Sequence, residues 1–186
     1  MRTEHKVMIR EAYKDYEPPT DVRRVVEELL DGVPPEHLRG LRTVVLTNVA
    51  NLNHNERRGK ITVKGRKVRL RDVGGCYHHK TRRESAWIQI LVDNCLRQYP
   101  DYVLAIPSVR EAAILHVLYH EIGHHIHATH AREHREPEAV AEKWRKELCR
   151  CHYREKHPWV AALAAGARPL VRGCRRTRGA KHSEAA

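Results

Sequence analysis

The segment from Ser108 to His127, SVREAAILHVLYHEIGHHIH, constrains the fold of this chain more than any other stretch. Its apolar residues recur at the three- and four-residue spacing of an amphipathic helix with one buried side. That side is formed by Ile114, Leu115, Leu118, Ile122 and Ile126. Ser108, with Glu111 three residues later, has the pattern of a capping box and predicts the start of the helix. We therefore predict a long helix that is anchored in the core of a domain.

His120 and His124 lie four residues apart within this segment, in the motif HEIGH. In a helix, that spacing places both imidazoles on one face, one turn apart. Two neutral imidazoles in this arrangement can bind one zinc ion, and Glu121 is then placed to act as a general base on a zinc-held water. The motif therefore predicts a zinc hydrolase in which His120 and His124 bind the metal and Glu121 is the catalytic residue.

Catalytic zinc normally has three protein ligands and an open position for water. Glu138, Glu142 and His130 are the three candidates for the remaining ligand. The two glutamates lie one turn apart in a second predicted helix, 138–153, with Pro137 in its first turn. His130 gives the HExxHxxxxxH spacing of the metzincins, but His127 replaces their glycine and no methionine follows the helix. Spacing alone leaves the choice of third ligand open.

The HEIGH helix, followed by a segment that begins E-x-x-A-E-x-W, resembles the gluzincin metallopeptidases. The nearest groups are the ImmA/IrrE-like proteins and the minimal gluzincins, and the resemblance covers about residues 86–150. It implies that His120, His124 and Glu138 bind zinc, that Glu121 is the general base and that Glu142 buttresses the site. Glu142 stands where the family has Asn or Asp, and only 13 residues separate His124 from Glu138.

The remaining pattern predicts an α+β fold. Residues 41–49 and 86–92 are typical of strands, residues 61–70 of two strands joined near Gly65, and residues 22–30 of a helix capped by Thr20 or Asp21. The resemblance implies a zincin-like small mixed sheet whose edge strand packs on the HExxH helix, with the glutamate-bearing helix following. The strand Trp87–Val92 is expected to be that edge strand and to bind substrate through its backbone.

The chain has 186 residues, which suits one domain and a tail. We predict a zincin-like metallopeptidase domain over residues 1–166 and a basic disordered tail over residues 167–186, whose arginine-rich sequence has too few apolar residues to bury. No apolar run approaches the roughly 20 residues that span a bilayer, and the N-terminus has no continuous apolar stretch typical of a signal peptide. An odd number of cysteines, five, is typical of reduced thiols. These features predict a cytoplasmic protein without membrane contact.

The formal net charge is +12, of which residues 167–186 contribute +5. A basic surface raises the affinity for nucleic acid or acidic proteins without specifying either. The predicted partner is a protein or peptide substrate, and the basic tail allows weak contact with nucleic acid. A second hypothesis is a basic nucleic-acid-associated protein in which HExxH is a structural or relict metal site.

Overall fold

The computed structural model describes residues 6–63, 66–129 and 136–156. Its strands are β1 (Met8–Ala12), β2 (Leu41–Thr47), β3 (Lys60–Val63), β4 (Arg66–Arg69), β5 (Gly75–His78) and β6 (Ala86–Leu91). Its helices are α1 (Val22–Asp31), α2 (His54–Arg58), α3 (Val92–Arg97), α4 (Asp101–Leu104), α5 (Pro107–Thr129) and α6 (Pro137–Lys156). The chain divides into two compact units, residues 1–149 and 150–186. The first unit has the predicted α+β composition and contains the whole sheet.

Four strands form one mixed sheet in the order β1-β2-β6-β5. Strands β1, β2 and β6 run parallel to one another, whereas β5 runs antiparallel to β6. Because β6 is paired on both sides, the expectation that Trp87–Val92 forms the edge is wrong. All of β6 except Trp87 is buried, as in interior strands. The edge strand of the sheet on that side is β5, and β5 packs against α5.

The core lies between this sheet and helices α1 and α5. Helix α1 begins at the predicted cap, where Asp21 Oδ1 accepts a hydrogen bond from the Arg24 backbone N–H at 2.9 Å. All five residues on the predicted apolar side of α5 are fully buried. The buried Tyr119 hydroxyl on α5 donates a hydrogen bond to the Leu29 carbonyl at 3.2 Å, which fixes α5 against α1.

The two helices of the predicted metal site differ slightly from their expected bounds. Helix α5 begins at Pro107, so Ser108 lies within its first turn and is not the cap. Proline is favoured at the first position of a helix because a backbone N–H there would have no hydrogen-bond acceptor within the helix. Helix α6 also begins at a proline, Pro137, as expected, and extends three residues beyond the predicted Tyr153.

Strands β3 and β4 form a separate antiparallel hairpin, as the sequence predicts. Their connection, residues 64–65, lies outside the described residues, as do the predicted tail and the domain boundary at residue 166.

Candidate metal centre

Helix α5 presents the two histidines of HEIGH on one face. The His120 and His124 side chains are 24% and 18% exposed, and their ring centroids are 4.8 Å apart at an interplanar angle of 89°. On the opposite side of the helix, Leu118 and Ile122 are fully buried in the core. The 3.6-residue period thus holds the imidazoles at the surface while the apolar side anchors the helix.

Gly123, the glycine of HEIGH, lets α6 approach α5 closely. A Cβ atom at this position would lie 2.6 Å from the Ala141 carbonyl oxygen and 2.8 Å from the Ala141 Cα. Such distances are too short for any side chain, so only glycine permits this crossing of the two backbones. Because Glu138 lies about one turn before Ala141 on α6, the crossing brings its carboxylate opposite the imidazoles.

The Glu138 carboxylate contacts both histidines. Its Oε2 lies 3.5 Å from His120 Nε2, and its Oε1 lies 3.4 Å from His124 Nε2. One ligand atom from each of the three residues can be chosen so that all lie within 4.8 Å of one another. Ligands at 2.0–2.2 Å from a tetrahedral metal are roughly 3.4 Å apart, so the two Glu138–histidine distances already fit one ion, and the widest separation in the group would have to shorten.

The chemistry of this donor set also fits a divalent cation. Glu138 Oε2 is buried and has no hydrogen-bond partner, and such an atom is costly unless a cation or donor satisfies it. Burial lowers the pKa of His120, and burial together with the nearby His120 lowers the pKa of His124 to about 4. Neutral imidazole is the form that binds a metal. Two imidazole nitrogens and a carboxylate are a common ligand set of catalytic zinc.

Glu121 lies beneath the edge strand, next to the donor set. Its side chain is 6% exposed. Gly75 of β5 makes room for it, because a Cβ there would lie 3.0 Å from Glu121 Cγ and 2.7 Å from Val117 Cγ1. Burial, reinforced by the charge of Glu138, raises the pKa of Glu121 to about 8, against a smaller lowering by a hydrogen bond from the Tyr77 backbone. The carboxylate is therefore more basic than an exposed one.

Glu142, an alternative third ligand, faces a different atom of His120. Its Oε2 lies 4.0 Å from His120 Nδ1, and Arg145 holds its two oxygens through Nε at 2.8 Å and Nη2 at 2.6 Å. Hydrogen bonding to Arg145 lowers the pKa of Glu142 to about 2. The structure thus places the Glu138 carboxylate next to Nε2 of both His120 and His124, and the Glu142 carboxylate nearer to Nδ1 of His120. His130, the other alternative, lies outside the described residues.

Two polar residues near the site, Arg145 and His79, are not predicted by any sequence pattern. Arg145 lines the cavity and its Nη1 lies 2.6 Å from His116 Nδ1. His79, just after β5, also lines the cavity. Their positions depend on the packing of α6 and β5 against α5, which no local pattern encodes. Only the resemblance to an E-x-x-A-E-x-W helix pointed towards this face of α6.

His125 is a structural residue, although it belongs to the same histidine-rich run. It is fully buried, with Nδ1 3.2 Å from the Tyr77 hydroxyl and Nε2 3.1 Å from the Arg39 carbonyl oxygen. Among the described residues, His120, His124 and Glu138 are the one group with the spacing for a metal ion. The extra histidines therefore form no second cluster of this kind in those ranges.

A cavity of about 560 Å³ opens over the donor set. Its walls come from β5, α5, the start of α6 and the hairpin, and they include Ile61, Gly75, Tyr77, Val117, Glu121 and Glu138. The three donor residues and Glu121 all line this cavity, so a molecule inside it has access to each of them.

In the ranges that the structure covers, none of the helices combines the length and apolar character needed to cross a membrane. The four cysteines in those ranges are free thiols. Comparison with protein-family models, with curated proteins and with solved structures found no match to this chain.

Proposed function

We propose that this protein is a zinc-dependent metallopeptidase, with His120, His124 and Glu138 as metal ligands and Glu121 as general base. The observation that supports it best is the meeting of three donors of the right chemistry beside a buried carboxylate, in an open cavity. An adventitious histidine cluster would not require a buried, unpartnered Glu138 oxygen or a glycine that admits a second helix.

The chain's own residues supply the proton transfers. A zinc ion bound by the three donors would polarise the attacking water and the scissile carbonyl. Glu121 takes a proton from the water, and burial raises its pKa above that of an exposed carboxyl, which makes the carboxylate a stronger base. The same carboxyl then delivers that proton to the leaving amine. Burial keeps Glu121 beneath β5, so its position is fixed before substrate arrives.

An extended peptide would bind along the free edge of β5. Within the described residues β5 has no strand partner other than β6, so its other edge is open to a substrate strand apart from the Tyr77 N–H, which donates to Glu121. Gly75 and Tyr77 of this strand line the cavity, so a peptide added there would pass over the donor set. This binding mode recognises backbone and needs few side-chain contacts. The zincin-like arrangement of edge strand and helix is thus part of the proposal.

The proposal is tested by replacing Glu121 with Gln, which keeps the size and removes the base. We expect the variant to retain one equivalent of zinc, measured by elemental analysis, and to lose hydrolysis of a fluorescent protein substrate by at least about a hundredfold. Glu36→Gln, at an exposed position, is the matched control and should keep both properties. Wild-type hydrolysis by the Glu121→Gln protein would exclude the proposed role, and loss of zinc would mean that Glu121 holds the metal.

A further inference from the structure

We propose that the outer face of the β3–β4 hairpin binds the phosphate backbone of duplex nucleic acid. The positive charge of this chain is concentrated in two segments, and only one of them is the C-terminal tail. Residues 57–71 contain eight cations and no carboxylate, which is +8 of the total +12. Outside this segment and the +5 of residues 167–186, the remaining chain is close to neutral at −1. The cations of the first segment are Arg57, Arg58, Lys60, Lys64, Arg66, Lys67, Arg69 and Arg71.

The register of the hairpin places three of these eight cations on one face, whereas Arg66, which pairs with Val63, is on the opposite face. Lys60 pairs with Arg69, and Lys67 pairs with the residue two positions after Lys60, so all three cations project from the same side. Ile61 pairs with Val68 on the other side, and both are half-buried. Ile61 lines the cavity over the metal centre. The hairpin is therefore amphipathic, with an apolar side towards the body of the domain and an exposed basic side.

The cations of the outer face have no acidic partner among the described residues. Elsewhere, Arg23 and Arg24 form i,i+4 ion pairs with glutamates of α1. Lys60, Lys67 and Arg69 are exposed, and no carboxylate lies within 4 Å of any of them in the described ranges. Lys60 and Arg69 stand directly opposite each other, a like-charge pairing that destabilises an antiparallel ribbon unless an anion neutralises it.

The shape of the element favours duplex nucleic acid over an acidic peptide. A two-stranded ribbon has the width that the major groove admits, and phosphates on both sides of the groove can then meet cations from both strands. Lys67 and Arg69 are two residues apart on one strand, roughly 7 Å along it, so each can meet a different phosphate. The rest of the folded unit, residues 1–56 and 72–149, has a net charge of −3, so the positive potential of this unit is strongest at the hairpin. The inference does not depend on peptidase activity.

The test measures binding of the full-length protein to a fluorescein-labelled duplex of mixed sequence, about 20 base pairs long. Fluorescence anisotropy gives the binding constant at each of a series of salt concentrations. The triple variant Lys60→Gln, Lys67→Gln, Arg69→Gln should bind about tenfold more weakly or worse. The plot of log K against log salt should also lose about 2 to 3 units of slope, because each lost phosphate contact removes about 0.9.

The control removes the same charge from exposed positions on or next to the main sheet. Lys6→Gln, Arg10→Gln, Arg42→Gln should bind within about twofold of wild type, with thermal melting confirming that both triple variants fold. Equal weakening by the two variants would show that binding reflects net charge alone and would overturn the proposal. Poly-glutamate and unlabelled duplex should also be compared as competitors at equal charge. If poly-glutamate displaces the labelled duplex as effectively as unlabelled duplex does, the hairpin binds acidic polypeptides in general and the proposal is overturned.

Discussion

At the scale of single residues, two glycines determine how closely the parts of the candidate metal centre approach. Gly75 admits the Glu121 side chain beneath β5, and Gly123 admits the backbone of α6 against α5. Neither position has room for a Cβ, since its nearest neighbours would lie at 2.7 Å and 2.6 Å. The glycine in HEIGH is thus a packing requirement, which explains why a small residue stands between the two histidine positions.

We predict that Gly123→Ala destabilises the protein and weakens metal binding together. Alanine normally stabilises a helix by about 1 kcal/mol over glycine, so a purely helical effect would raise the melting temperature. Here the new methyl group would clash with the Ala141 backbone and push α6, with Glu138, away from the imidazoles. We expect a net loss of about 1–3 kcal/mol by chemical denaturation. A raised stability with unchanged zinc affinity would contradict the close crossing.

At the scale of elements, the helical period predicts which side of α5 is buried, whereas contacts between elements distant in sequence are not predicted. The positions of His120, His124 and the buried face follow from the period of one helix, and the apolar side of α5 is confirmed in full. The sequence does not predict that β5 is the edge strand, because β5 is only four residues long and its pairing with β6 is set by tertiary contacts. The third ligand cannot be chosen from sequence for the same reason, since the choice depends on where α6 crosses α5.

Helix α6 offers a direct test of that crossing, because Glu138 and Glu142 lie one turn apart on it. Glu138 reaches the Nε2 atoms of both histidines, whereas Glu142 is held by Arg145 and approaches only His120 Nδ1. We predict that Glu138→Ala lowers zinc affinity far more than Glu142→Ala. The loss for Glu142→Ala should be at most about tenfold, because its Oε2 lies 4.0 Å from His120 Nδ1, too far for the hydrogen bond by which a group orients a histidine ligand.

Competition with a chromophoric chelator measures both affinities on the same scale. The two variants remove the same side chain from the same helix, so each is the other's control for the loss of a carboxylate. The reverse order of affinities would move the third ligand to Glu142, one turn further along α6. Equal and small losses of zinc affinity for both variants would leave His130, which lies outside the described residues, as the remaining candidate for the third ligand.

At the scale of the whole molecule, the candidate metal centre joins two helices, α5 and α6, that are separated by a connecting segment of the chain. The apolar side of α5 is buried in the core, and the first part of α6 contacts α5 through the Gly123–Ala141 crossing and the Glu138 carboxylate. An ion bound by both helices would therefore stabilise the folded chain relative to the unfolded one. The coupling between metal binding and folding gives a readout that needs no knowledge of the substrate.

We predict that removing zinc with a chelator lowers the melting temperature by about 5–10 °C. Free zinc at 100 times its dissociation constant stabilises a folded protein by about 2.7 kcal/mol, and each kcal/mol shifts the melting temperature of a domain this size by roughly 2–4 °C. The 15 histidines and five cysteines of the unfolded chain also bind zinc, which places the expected shift towards the lower end. Differential scanning fluorimetry with and without chelator measures this shift.

His120→Ala should melt at the same temperature with and without chelator, while Glu121→Gln should keep the full shift. A wild-type melting temperature indifferent to chelator would mean that no metal links α5 to α6, because an ion shared by both helices must stabilise the fold that brings them together.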